Sequence, residues 1–291
     1  MTSPRVLLKA WNLRAKKSLG QNFLVHPETA DMIVERASLS PKDVVLEIGP
    51  GLGALTVAIA AKVSKVYAVE TDAALIELLL PELALQRIGN VVVVHADFLK
   101  FDMASLADAE KTKLLVMGNL PYNISSQVIV RLIQARPCVD RAVLMLQKEL
   151  AQRLSAAPGG RDYGRLTAML AYCGEVKKLA EVKAPVFFPR PKVDSEIVDI
   201  RFREAPLYSA QSEDFLFRTI KAAFSQRRKT LRNALVGSEL HLPADTASEA
   251  LARARIEPSR RAETLDVQEF VILSNTIQRM LTPETGPAVD T

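Results

Sequence analysis

From Val44 onward the apolar residues come in short, almost unbroken runs: VVLEI (44–48), KVYAVE (65–70), VVVVH (91–95), KLLVMGN (113–119) and RAVLML (141–146). Residues 52–62, 72–87 and 125–135, which lie between them, have helical length and apolar spacing. A strand that is apolar at successive rather than alternate positions is buried on both faces, and strands alternating with helices predict a parallel α/β sheet covered on both sides. EVKKLAEV (175–182) and SEIVDIRF (195–202) flank the proline-rich segment APVFFPRPKVD and are predicted to finish the sheet antiparallel, making seven strands. After Glu204 the pattern changes: residues 211–235, 243–255 and 266–281 have helical periodicity with no strand-like run between them, so a small helical domain is expected from Ala205. The last nine residues, PETGPAVDT (283–291), read as a flexible tail.

A chain of 291 residues with 48% hydrophobic content can bury a substantial core. Cys138 and Cys173 form no CxxC pair, which excludes a disulfide framework and a zinc ribbon. His26, His95 and His241 are scattered without HExxH spacing, so no metal is expected. No apolar run approaches the roughly 20 residues needed to span a bilayer, so no membrane association is expected. The cysteine usage fits the cytoplasm, and a monomer is expected. The net charge of +5 makes an anionic partner plausible where the basic residues cluster. One such cluster is residues 1–27, which hold Arg5, Lys9, Arg14, Lys16 and Lys17 and no acid. That composition also suits a transit peptide; it is read here as a basic arm.

The run VVLEI leads into Gly49, Pro50, Gly51, Leu52 and Gly53 and then a helix. Glycines there let a ligand approach the backbone, and the amides of the following helix favour negative charge. Glu70, at the end of the next strand, is placed to accept hydrogen bonds from ribose hydroxyls. With Ala54 the loop also satisfies GxGxxG/A, so an adenosine-bearing cofactor is expected and a nicotinamide dinucleotide stays open. Asp97, after the third strand, reads either as another ligand contact at the sheet's carboxyl edge or as a helix N-cap.

The run KLLVMG ends in Asn119, Leu120, Pro121 and Tyr122. An adenine amino nitrogen is a poor nucleophile because its lone pair is delocalised into the ring. An Asn119 side-chain oxygen and a Leu120 carbonyl that accept its two N–H groups would help localise that pair and aim it, with no strong general base. Pro121 stiffens the turn, and Tyr122 offers a face on which an extruded base stacks. Phe187, on the proline-stiffened loop, is a candidate second stacking ring, and its neighbour Phe188 competes for that assignment.

KKSLGQNFL, LEIGPGLGALT, VYAVETD, VHADFL, GNLPYNISS, FFPRPKVDS and AFSQRRKTLRNAL resemble, in register, the signature blocks of the KsgA/Dim family of rRNA adenine dimethyltransferases, and RAETLDVQEF resembles its C-terminal block. The resemblance implies a class I methyltransferase (Rossmann-like) fold with a helical C-terminal domain. It also implies S-adenosylmethionine as cofactor, S-adenosylhomocysteine as product, and two adjacent adenosines near the 3′ end of small-subunit rRNA as substrate, free or in an immature small subunit. By position it assigns cofactor contacts to Asn22, Leu24, Gly49, Gly51, Glu70, Asp97 and Asn119, with Asn119 also touching the target and Tyr122 and Phe187 as the stacking pair. The corresponding division is a basic arm and helix (1–40), a cofactor-binding catalytic domain (41–204), a helical RNA-binding domain (205–282) and the tail.

Between Phe215 and Ser238 lie Arg218, Lys221, Arg227, Arg228, Lys229 and Arg232 and no acid. Over one continuous helix, Arg218, Lys221, Arg228 and Arg232 would share a face, and Arg227, Arg228, Lys229 and Arg232 are the expected RNA contacts. The alternatives are an Erm-type enzyme acting on large-subunit rRNA, a non-catalytic binding or assembly factor, and a nicotinamide dehydrogenase. QRRKTLRN and RAETL favour the small-subunit reading over the Erm type, and intact Asn119 and Tyr122 favour activity.

Overall fold

The computed structural model describes residues 2–282; the tail expected at 283–291 lies outside the described residues. The chain divides into two compact units, residues up to Gln152 with Gly174–Glu204, and Arg153–Cys173 with the chain from Ala205 onward.

The first unit begins with α1 (Pro4–Ala10), β1 (Phe23–Leu24) and α2 (Pro27–Ala37). It continues through β2 (Val44–Ile48), α3 (Ala54–Ala60), β3 (Lys65–Glu70), α4 (Ala73–Leu85), β4 (Val91–His95), α5 (Met103–Glu110), β5 (Leu114–Asn119), α6 (Ser125–Ala135) and β6 (Val139–Gln147). The chain leaves this unit inside α7 (Lys148–Leu154) and returns for β7 (Gly174–Val182), β8 (Phe187–Phe188) and β9 (Ser195–Phe202). The seven long strands form one sheet in the order β4-β3-β2-β5-β6-β9-β7, with β2 to β6 parallel and β9 antiparallel to both neighbours. The predicted mostly parallel seven-stranded α/β sheet is therefore present, its first five strands within two residues of their sequence-predicted limits.

Burial follows position in the sheet. Every residue of the inner strand β2 is buried, whereas β4, at the edge, is only half covered despite its four valines. A second, two-stranded ladder pairs Phe23 with Phe188 and Leu24 with Phe187. The sheet runs outward from β2 to β4 and then resumes at β5 on the other side of β2. The reversal opens a crevice at the carboxyl ends of β2 and β5, the usual ligand site of such sheets. Gly118 of β5 permits their close approach, because a Cβ there would lie 2.8 Å from the Ile48 carbonyl oxygen.

The second unit is helical: α8 (Arg165–Cys173), α9 (Glu213–Ala223), α10 (Leu231–Val236), α11 (Ala244–Arg253) and α12 (Val267–Leu281). Its core gathers Leu216 and Ile220 of α9 with Phe270, Leu273 and Ile277 of α12, all essentially excluded from solvent. Asp266 and Glu269 form a reciprocal capping box that starts α12.

One expectation is corrected here. The continuous helix that would align Arg218, Lys221, Arg228 and Arg232 does not exist: α9 ends at Ala223, and α10 begins only at Leu231. Tertiary contacts decide this. Phe224 packs its ring against Phe270 and Tyr163, and the Leu231 amide donates to the Arg260 carbonyl at 2.7 Å instead of to the preceding turn. Lys221 pairs with Glu239, one residue beyond the acid-free run, and Arg232 donates to the Ser248 hydroxyl.

Candidate active site

Four strand ends and one N-terminal segment enclose a cavity of about 290 Å³ in the first unit. After β2 the chain turns through Gly49 (φ 62°) and Gly51 (φ 58°), left-handed conformations that favour glycine. A Cβ on Gly51 would also meet the Phe23 ring at 3.1 Å. After β3, Glu70 is 5% exposed, and its carboxylate accepts from the amides of Gly51 (3.1 Å), Thr71 (2.9 Å) and Asp72 (2.9 Å). Burial raises its pKa above the ordinary value, although these three hydrogen bonds oppose the shift. After β4, Asp97 caps a short 3₁₀ turn by accepting from the Leu99 amide at 3.0 Å, and it also lines the cavity. The helix-cap reading of Asp97 is therefore met, and the residue also lies where a ligand contact would need it.

β5 delivers Asn119 and the turn after it. The side-chain amide of Asn119 donates to the Asn22 carbonyl at 2.8 Å, so its oxygen is the end left to accept. The Leu120 amide donates to the Met145 carbonyl at 3.1 Å, holding the turn on β6, while the Leu120 carbonyl accepts no hydrogen bond among the described residues. Pro121 accepts from the Ser125 hydroxyl at 2.9 Å and so couples the turn to α6. Tyr122 is half-buried, with its hydroxyl 3.3 Å from the Ser195 hydroxyl. Burial holds its pKa above the ordinary value, so it is a neutral phenol and not a base at physiological pH.

The N-terminal segment crosses this cavity as a strap. Lys16 donates to Asp72 at 2.7 Å and Gln21 donates to the other Asp72 oxygen at 2.8 Å, while the Lys16 amide donates to Gln21 at 2.8 Å. At its other end, Asn123 donates to the Ser18 carbonyl and Asn119 to that of Asn22. Burial pushes the Asp72 carboxyl up, but the bonds from Lys16 and Gln21 outweigh it and hold the group below its ordinary value.

Asn22, Leu24, Gly49, Gly51, Glu70, Asp97, Asn119, Leu120 and Tyr122 thus share one cavity. Phe187 is not among the lining residues. It is 3% exposed, belongs to the core cluster under the sheet and pairs with Leu24. Phe188 packs beside Phe23, with the Arg5 guanidinium 5.0 Å from its ring centre. Arg227, Arg228 and Lys229 are exposed on the turn between α9 and α10 of the second unit.

Sequence reasoning passed over Glu47, which lines the same cavity inside β2 and is 1% exposed. Burial pushes its pKa up to about 8, with the Thr56 hydroxyl opposing and the charge on Glu70 adding. Its Oε2 has no hydrogen-bond partner among the described residues. The available signal was a lone carboxylate in an otherwise apolar strand. With Glu47, Glu70 and Asp97 on one side and Asn119 on the other, the cavity offers acceptors to a ligand rich in hydroxyl and amino donors.

The profile of a family described as ribosomal RNA adenine dimethylase matches residues 12–279. A ribosomal RNA small subunit methyltransferase A of Desulforapulum autotrophicum is 50% identical over 280 residues, 96% of this chain and 98% of the relative. Among solved structures, a dimethyladenosine transferase from Plasmodium falciparum superposes with a TM-score of 0.72 at 30% identity, covering 86% of this chain and 95% of its own. The 23S rRNA methyltransferase ErmE superposes with a TM-score of 0.65 at 27% identity, covering 88% and 99%.

Proposed function

The chain belongs to the ribosomal RNA adenine dimethylase family, and from that premise we propose that it methylates the N6 amino groups of two adjacent adenosines near the 3′ end of small-subunit rRNA. S-adenosylmethionine supplies the electrophilic methyl group on its sulfonium. The cavity suits that cofactor. Glu47 Oε2 is buried without a partner; a cationic amino group there would satisfy it and favour release to solvent of the proton that burial keeps on the ligand-free carboxyl, and the site holds two further carboxylates for the ribose hydroxyls and adenine. In this reading Asn22, Leu24, Gly49, Gly51 and Asp97 hold the cofactor, and Glu70 holds its ribose. On this reading no metal takes part in the transfer.

The observation that carries the proposal is the committed orientation of Asn119. Because its NH₂ is spent on Asn22, its oxygen faces the task of accepting one amino proton of the target base, with the free Leu120 carbonyl accepting the other. Two acceptors at fixed positions draw the amino group out of conjugation and leave its lone pair as the nucleophile. Tyr122, kept neutral, gives the extruded base a face to stack on. Using Phe187 as a second face requires that side chain to leave the core. Arg227, Arg228, Lys229 and Arg232 are assigned to the RNA backbone, and the chain is taken to act in the cytoplasm as a monomer on rRNA or an immature small subunit.

The test is methyl transfer from labelled S-adenosylmethionine to small and large subunits lacking these modifications, followed by mass spectrometry of the digested RNA. Dimethyladenosine in small-subunit rRNA supports the proposal. Product only in the large subunit supports the Erm-type reading, and product in neither supports a binding role.

A further inference from the structure

We propose that Trp11, with the basic side chains around it, is a stacking site for a single-stranded nucleotide of the RNA substrate, outside the cofactor cavity. The inference rests on RNA being the substrate and assigns it a new surface. Trp11 is the only tryptophan in the chain and is 50% exposed, although an indole is among the side chains with most to gain from burial.

The exposed ring sits on a fixed support. Leu7 and Leu8 of α1 are buried with Phe23, Leu52, Leu75 and Leu78, which anchors the helix to the first unit. The helix ends in a Schellman turn: Asn12 takes φ 52°, its amide donates to Lys9, and the Leu13 amide donates to the Leu8 carbonyl at 2.8 Å. Leu13 packs on the same cluster as Leu8, which closes the motif. Trp11 occupies the helix cap inside this turn. An indole held by a rigid backbone loses little entropy when a flat partner lands on it.

Charge identifies the partner. Lys9, Arg14 and Lys17, all within six residues of Trp11 in the sequence, are exposed, and residues 1–27 contain no acid. Val6, the other exposed large apolar residue of α1, is about 140° around the helix from position 11, so the two do not make a continuous patch for a protein groove. An exposed ring in a segment that is basic and free of acids suits a base flanked by phosphates, and only an unpaired strand offers its base faces. From Trp11 to Lys16, which is tied to Asp72 beside the cavity, the chain spans at most about 18 Å. That reach puts the stacked nucleotide within a few nucleotides of the target on the same strand.

The full-length protein is titrated with a fluorescein-labelled single-stranded oligoribonucleotide carrying the target adenosines. Indole emission and fluorescein anisotropy are followed together, and S-adenosylmethionine affinity is measured by calorimetry. The expected result is indole quenching in step with the anisotropy. Trp11→Ala should bind the RNA about 5- to 150-fold more weakly, with Trp11→Phe recovering much of the loss and cofactor affinity unchanged in both. Rising anisotropy with constant indole emission, or wild-type RNA affinity in Trp11→Ala, overturns the stacking site and leaves the methylation reading standing. No anisotropy change in a protein that still binds cofactor overturns both. Quenching by small-subunit proteins but not by RNA also overturns it, and moves the surface to a protein partner.

Discussion

One end of the Asn119 amide is already committed, since its NH₂ donates to Asn22, and the other end is what the proposed chemistry needs. Asn119→Ala is expected to lower the single-turnover rate about 10²- to 10³-fold, the usual cost of losing one preorganised polar contact to a transition state, while melting stays near that of the parent. Turnover close to wild type would remove the amino-positioning mechanism. Glu47 makes a different prediction. Below about pH 4.5 its carboxyl is protonated in the folded and unfolded chain alike. Between that value and about 8 only the folded chain keeps the proton, so stability falls as pH rises through this window. Ligand-free Glu47→Gln should therefore melt higher than the parent at pH 8, with the gap closing towards pH 4.5, and it should bind S-adenosylmethionine more weakly. A pH-independent gap would mean that Glu47 is ionised in the fold. Glu70, Asp97 and Asn119 were legible because each is a polar residue at or just after the end of an apolar run. Glu47 lies within one and was passed over. The setting of Phe187 was not legible either, because an aromatic residue among prolines reads alike whether it faces a ligand or the core.

At the scale of elements, the strap from Lys16 to Asn22 depends on Asp72, which is almost fully buried and also caps α4 by accepting from the Ala74 amide. Asp72→Asn keeps the oxygen shared by the cap and Lys16 but removes the charge that Lys16 pairs with, and sets an NH₂ against the donating amide of Gln21. The expected result is a KM for S-adenosylmethionine raised roughly tenfold with kcat little changed, as befits one lost charge-assisted contact to a positioning segment. Faster amide exchange over residues 16–22 should accompany it; an unmoved KM would show that the strap closes without this tether. The sheet was readable because its strands are long, apolar and bounded by turn residues. The β1–β8 ladder was not, since two residues on each side carry no periodicity. Nor was the break between α9 and α10: Phe224 continues the apolar spacing of α9 but is held by Phe270 and Tyr163, and only those distant partners distinguish a turn there from another helical turn.

Over the whole molecule, the net charge of +5 says little until it is located. The cavity is lined wholly by the first unit and is rich in carboxylates, whereas Arg227, Arg228 and Lys229 stand exposed on a turn of the second. With the continuous helix gone, those three side chains are a cluster presented by one short turn, and Lys221, already paired with Glu239, adds less free charge to it. Changing all three to Ser should weaken RNA binding across sequences and flatten the plot of log affinity against log salt by about 2 to 3, the counterions of three phosphate contacts. Cofactor affinity and melting temperature should hold, because the three side chains are exposed and outside the cavity lining. A slope that does not move would take the phosphate contacts away from this turn. The basic arm around Trp11 would then be left as the main electrostatic footing for RNA, and the same salt titration repeated on Trp11→Ala separates stacking, which leaves the slope unchanged, from charge, which does not.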